Sequence, residues 1–270
     1  MHKVTFSAFK PVRILLIGTG GNGSLLLTHL LRIDQGVRAL GGAGLHVQAF
    51  DPDTVSQTNL IRQNFAPSDV GRNKAVVLVE RCNLYAGLRW DAQPRRLTKA
   101  DFQHEVQLLI TCVDSGQSRR EVHDLLAALP HHQRPHYWLD CGNEARTGQV
   151  ILGQPRQPQG GLPTIIDLDP TAMQGQDDDR PSCSAIEALT RQHPFINPEV
   201  ALRAAQIIGE MLYHGVVTAP AIFVNLEGNV RTVAQELGTP RPRKVEALIP
   251  FPKPVQRPRT RRASRTAATN

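Results

Sequence analysis

No apolar run in this chain of 270 residues approaches the length needed to span a bilayer, so no membrane role is expected. The first nine residues, Met1 to Phe9, lack the charged-then-apolar pattern of a secretory signal, which predicts a cytoplasmic protein. Cysteine is scarce. Cys82, Cys112, Cys141 and Cys183 stand apart, with no C-x-x-C pair among them. That argues against a disulfide framework and against a structural zinc knuckle. The ten histidines show no metal-ligand spacing and join no motif, so histidine catalysis is disfavoured. A basic excess is lacking from most of the chain. The formal net charge is +7, yet residues 241–270 hold nine basic side chains against Glu246 alone, and the remaining 22 basic and 23 acidic residues nearly cancel. A nucleic-acid-binding fold usually carries its basic surface on the folded body, so contact with nucleic acid is expected only through that tail.

What is present is an ordinary globular composition, 40% hydrophobic and 20% charged, long enough to bury a sizeable core. Residues 1–238 read as one folded body. Residues 239–270 are rich in proline and arginine and are expected to be a disordered tail. Within the body, Val12–Ile17 is a short apolar run ending at glycine, as a buried parallel strand should be. A helix is expected over Asn22–Arg32, a strand over Leu45–Phe50, and a helix over Lys74–Tyr85. A strand at Leu108–Val113, a helix at Arg119–Leu129, and strands at Tyr137–Cys141 and Gln149–Leu152 continue the alternation. This order implies an α/β, doubly wound, mainly parallel sheet of Rossmann-like type. The pattern then breaks over Gly153–Pro181, which is irregular and contains the acidic run Asp177–Asp179. Asn197-Pro198-Glu199 reads as an N-cap, a first-turn proline and a first-turn acid opening a helix to about His214. Ala221–Leu226 and Val230–Val233 read as a hairpin, an antiparallel extension of the sheet.

Three segments carry chemistry. Gly18-Thr19-Gly20-Gly21-Asn22-Gly23 matches G-x-G-x-x-G between a strand and a helix, where backbone N–H groups can approach a phosphate. Alone it fits an NAD(P) oxidoreductase equally well. Asp51 follows the second strand, where a ribose-binding carboxylate belongs, and lies further from the glycines than usual because Gln35–Gly44 adds a glycine-rich loop. After it come Asp53, Asn59, Arg62 and Gln63, then Gly71-Arg72-Asn73-Lys74. A guanidinium and an ammonium near one phosphate site suit a triphosphate that gathers negative charge in its transition state. A solvated polar loop is the plain alternative for any single residue. In Thr111-Cys112-Val113-Asp114-Ser115, Asp114 ends a parallel strand, with Arg119 five residues on. There it can be a magnesium ligand, a helix cap, or both.

In their order, these segments resemble the ThiF/MoeB and ubiquitin-activating superfamily, whose hallmark reads G-x-G-G-x-G, then D-x-D-x-V-x-x-x-N-L-x-R-Q, then G-x-x-K, then a strand ending C-x-D. The likeness covers roughly residues 12–235 and is greatest to the small ThiF-like proteins of ParB-related, ThiF-related (PRTRC) cassettes of bacterial plasmids. The resemblance implies ATP and magnesium as cofactors and no zinc. It implies that Gly18, Gly20, Gly21, Asn22 and Gly23 cradle the phosphates and that Asp51, beside Asp53, binds ribose. It implies that Asn59, Arg62, Gln63 and Lys74 contact the triphosphate and that Asp114 holds the metal. The implied reaction is adenylation of the C-terminal carboxylate of a ubiquitin-like β-grasp partner by a homodimer. The irregular stretch of about 153–183 would be the crossover loop over the partner's tail. Cys183, in Pro181-Ser182-Cys183-Ser184, resembles the thioester-forming cysteine of such enzymes; an unreactive packing cysteine is the alternative. The N-terminal R-x-x-R-Q segment that supplies an arginine across the dimer in many members has no match. That leaves a catalytically impaired nucleotide-binding interaction module as a rival to the enzyme.

Overall fold

The computed structural model runs β1 (His2–Lys3), β2 (Val12–Ile17), α1 (Gly21–Ala39), β3 (Leu45–Phe50), α2 (Lys74–Ala86), β4 (Asp91–Gln93), β5 (Leu108–Thr111) and α3 (Gly116–Ala127). It continues through β6 (Tyr137–Asn143), β7 (Thr147–Gly153), α4 (Ile165–Leu168), α5 (Ile196–Gly209), β8 (Val216–Val217), β9 (Ala221–Asn225) and β10 (Arg231–Gln235). The structure describes residues 1–7, 9–156, 160–173, 192–227 and 231–235. Cys183, the Asp177–Asp179 run and the tail at 239–270 lie outside the described residues.

Eight strands form one sheet in the order β10-β9-β7-β6-β5-β2-β3-β4. The strands from β4 to β6 are parallel. From β6 outward, β7, β9 and β10 pair antiparallel. Chain order reverses at β2, which lies between β3 and β5; this is the switch point where such sheets bind ligands. Alternation along β2 feeds two cores. Ile14 and Leu16 pack with Leu26, Leu27 and Leu30 of α1. Leu15 and Ile17 pack on the other face with Phe50, Phe102, Val122 and Leu126. Burial of both faces explains why the strand reads as an unbroken apolar run.

Several expectations change. Helix α1 runs on to Ala39, so Gln35–Gly44 is a loop only from Leu40. Gly36 breaks the sequence pattern but not the helix. A Cβ there would lie 2.4 Å from Tyr213 Oη, so glycine lets the turn after α5 close onto α1. Tyr213 Oη then donates to Ile33 O at 3.3 Å. Helix α5 begins at Ile196, and Asn197 is buried inside its first turn rather than capping it. Pro198 is tolerated there because first-turn N–H groups have no intrahelical acceptor. The stretch after β7 is partly built. Asp167 Oδ2 accepts the Thr164 N–H at 2.7 Å and its hydroxyl at 2.8 Å. That starts α4, whose Ile165 and Ile166 enter the core on the α3 face. Among the described residues, no helix is long and apolar enough to cross a membrane.

Candidate functional site

At the carboxyl ends of β2 and β5 lies a cleft of about 750 Å³. Its floor is the glycine turn. Gly18 leaves β2 at φ 84° and donates its N–H to Phe50 O at 2.9 Å. A Cβ on Gly18 would meet Cys112 O at 2.7 Å, and one on Gly23 would meet Gly18 O at 1.9 Å. Packing of the turn against β5 and α1 therefore demands both glycines. The first N–H groups of α1 have no helical acceptor, and Gly20, Gly21 and Asn22 line the cleft.

The second segment fastens this turn from the β3 side. Asp51 is buried; its Oδ2 accepts the Thr19 N–H at 2.7 Å and the Thr19 hydroxyl at 2.9 Å. Its Oδ1 accepts the Asp53 N–H at 2.9 Å. Asp53 then pairs with Lys74 Nζ at 2.9 Å. Asn73 caps α2 by accepting the Val76 N–H at 3.1 Å, and its amide donates to the carbonyls of Asp51 and Asp53. Lys74 thereby reaches the cleft from a fixed helix start. Arg62 and Gln63 follow a 3-10 turn over Gln57–Ile61, and both line the cleft. Asp114 lines it from the loop after β5, and its carboxylate is exposed, with no hydrogen bond or ion pair to any described residue.

The expected set thus converges, apart from three members. Asn59 does not line the cleft; its Oδ1 accepts the Ser56 N–H at 2.8 Å and closes the 3-10 turn. Gly23 stands behind the turn as packing. Cys183 is outside the described residues. Cys82, Cys112 and Cys141 are buried, in line with their reading as core residues. Burial pushes the Cys82 thiol up to about 11. A hydrogen bond with Cys112, then burial, holds Cys141 well above the ordinary thiol range. The Cys82 and Cys141 thiols are therefore poor nucleophiles.

The cleft also has walls that no motif marks. Arg95 and Arg96 enter from the connection after β4. Asp101 grips Arg95 at 2.7 and 2.9 Å and raises its already high pKa, and the guanidinium lies 5.4 Å over the Phe50 ring. Arg96 pairs with Glu121 of α3. Asn143, Gln192 and Asn197 complete the opposite side. Arg119 is not in the cleft: it is buried against Asp140 at 3.2 Å and donates to Val113 O at 3.0 Å, bracing the loop that bears Asp114. Three buried polar atoms in the cleft lining meet no partner among the described residues: Asn22 Oδ1, Arg62 Nε and Gln63 Oε1. Such atoms are costly unless a ligand or water satisfies them.

A glycine turn and a polar cleft at the switch point of a parallel sheet define a Rossmann-like nucleotide-binding fold. The ThiF family matches residues 5–214, and the chain belongs to that family. A comparison with curated proteins finds no match. Among solved structures, the chain is similar to the crystal structure of selenomethionine PaaA, with a TM-score of 0.57 and 14% identity. It is also similar to that of E. coli MccB with succinimide, with a TM-score of 0.53 and 15% identity. Each match covers 83% of this chain and 63% of the other. At these identities the likeness concerns the fold. The chain spans less than two thirds of either structure's length.

Proposed function

We propose that this ThiF-family protein uses ATP to adenylate the C-terminal carboxylate of a ubiquitin-like β-grasp protein. Convergence of the glycine turn, Arg62, Lys74 and Asp114 in one cleft supports this. The carboxylate oxygen attacks the α-phosphorus, a mixed anhydride forms, and the bond to pyrophosphate breaks. Arg62 and Lys74 bring positive charge to the phosphates as negative charge gathers on the leaving group. A dehydrogenase has no comparable use for that pair or for a free carboxylate at Asp114.

Magnesium fits the donor set. No cluster of three or more potential ligating side chains exists among the described residues. Magnesium commonly takes only one or two carboxylates, with phosphates and water completing its shell. Asp114 would hold it, and the ion would neutralise phosphate charge. The proposal extends to a homodimer and to kinship with the ThiF-like proteins of the PRTRC cassettes, on the strength of motif order alone. It extends also to Cys183, whose thiolate would attack the acyl-adenylate and release AMP.

ATP–pyrophosphate exchange with a candidate β-grasp partner tests the reaction. Partner-dependent exchange is expected. Stabilisation of the protein by NADH and none by ATP with magnesium would overturn the proposal. For Cys183, the alanine variant should keep exchange and lose any thiol-sensitive adduct with the partner.

A further inference from the structure

We infer that Gln192 is a positioning residue for Arg62, one that aims the guanidinium without discharging it. Arg62 Nη1 donates to Gln192 Oε1 at 2.6 Å. Among the described residues this is the hydrogen bond that fixes the guanidinium, and the buried Nε meets no acceptor. Gln192 is itself held. Its Nε2 donates to Glu144 O at 3.4 Å, and the next residue, His193, donates its N–H to Ala145 O at 2.8 Å. Both acceptors lie in the turn between β6 and β7. The arginine is therefore referenced to the sheet through a residue 130 positions away in sequence.

The chemistry of the partner matters as much as its place. Four cationic side chains line the cleft: Arg62, Lys74, Arg95 and Arg96. Lys74 pairs with Asp53, Arg95 with Asp101 and Arg96 with Glu121. Of these four, Arg62 alone is held by a neutral amide and, among the described residues, by no carboxylate. A carboxamide oxygen accepts a charge-assisted hydrogen bond and fixes direction. Having no charge, it leaves the full positive charge for an incoming anion. A carboxylate in the same place would offset that charge before any anion arrived.

The role toward triphosphate rests on the adenylation proposal, while the orientation of Arg62 does not, and the experiment separates the two. In the 15N-labelled full chain, the Arg62 Nε–Hε resonance is assigned by its loss in Arg62→Lys. Gln192→Ala should shift that resonance and lower its order with the melting temperature little changed. Titration with Mg-ATP should then show affinity weakened about tenfold, the scale of losing a hydrogen bond to a charged group. Gln192→Glu is nearly isosteric and keeps an acceptor, so it serves even if the alanine variant folds poorly. It should keep Arg62 ordered yet also weaken Mg-ATP, because it neutralises the guanidinium. An unchanged Arg62 resonance in Gln192→Ala, or Gln192→Glu binding Mg-ATP as well as the parent, would overturn the inference. An Arg62 resonance ordered in the parent and loosened in Gln192→Ala, with no Mg-ATP binding anywhere, would keep the positioning role and sink the adenylation proposal.

Discussion

Replacing Gly23 by alanine should damage the fold and the cleft together. The added Cβ would lie 1.9 Å from Gly18 O, 2.9 Å from Gly18 C and 3.3 Å from Cys112 Cβ. A carbon needs about 3.3 Å from a carbonyl oxygen even in a close C–H···O contact, so roughly 1.4 Å of movement is required. No flexible side chain can supply it. Gly18 is pinned by its N–H to Phe50 O at 2.9 Å, and Cys112 by its N–H to Ile17 O at 2.8 Å. On the other side is the first turn of α1, whose Ser24 N–H donates to Gly20 O at 3.0 Å. Overpacking typically costs about 1–3 kcal/mol, and a backbone-on-backbone collision belongs at the top of that range. For a body of this size that is roughly 6–12 °C in melting temperature. Gly71→Ala separates space from backbone conformation: its φ is 87° and no atom of the described residues lies within 4 Å of the added Cβ. Its cost should be the left-handed strain alone, about 1–2 kcal/mol, with the nucleotide response kept. Thermal melts with and without Mg-ATP distinguish the two. A Gly23→Ala protein that melts like the parent and keeps its ligand-induced shift would refute the steric reasoning.

The remaining predictions concern charge. Arg62→Ala and Asp114→Ala should each lower ATP–pyrophosphate exchange on the order of 10²-fold while the melting temperature holds; near-parental exchange would remove them from the site. Arg119→Met should cost about 3–5 kcal/mol in urea unfolding, because it strands the Asp140 carboxylate, which is 1% exposed; a loss below about 1 kcal/mol would show the pair to be dispensable. Burial, then the N-terminal charge, lowers the pKa of His2, and burial, then Arg32, lowers that of His29. The unfolded chain therefore binds more protons just below about pH 6.5, so stability should fall as pH drops through that region towards the folded values. His29→Gln should reduce the fall in urea midpoint between pH 7.5 and 5.5, and an identical fall in that variant would contradict the assignment.

The sheet was legible because its central strands are buried on both faces. Val12–Ile17 stands out as a nearly unbroken apolar run and Leu45–Phe50 as an alternation in which His46 and Gln48 are half-buried, and their observed bounds match the sequence reading. The strand Asp91–Gln93 is short and only half-buried, so it offers no alternation to read. Helix α1 was cut short in the sequence because Gly36 imitates a stop; its reason lies in Tyr213, far along the chain. Asn197 imitates a cap for a related reason. Its side chain lies against Gly21, where a Cβ would be 2.6 Å from Nδ2, so the tertiary contact overrides the local preference.

Legibility of the cleft follows the same division. Residues within one strand-to-helix turn announce themselves by spacing, as Gly18–Asn22 and Asn73-Lys74 do. Residues brought in by topology, such as Arg95, Gln192 and Asn197, have no local pattern to betray them. Arg119 shows the converse error available to spacing: it sits beside Asp114 in sequence, yet one turn of helix carries it to the buried Asp140.

Asp51 shows how far the folded chain constrains a role that sequence can only name. Each carboxylate oxygen offers two lone pairs. Oδ2 spends both on Thr19, and Oδ1 spends one on the Asp53 N–H. Among the described residues nothing takes the remaining acceptor position, on Oδ1. Under the adenylation proposal, Asp51 can take a single ribose hydroxyl while still tying the glycine turn to the end of β3. A second sugar hydroxyl would have to displace Thr19 and loosen the phosphate cradle itself. The acid that would read the sugar is thus also the clamp on the turn that would read the phosphates, and its two duties compete for the same lone pairs.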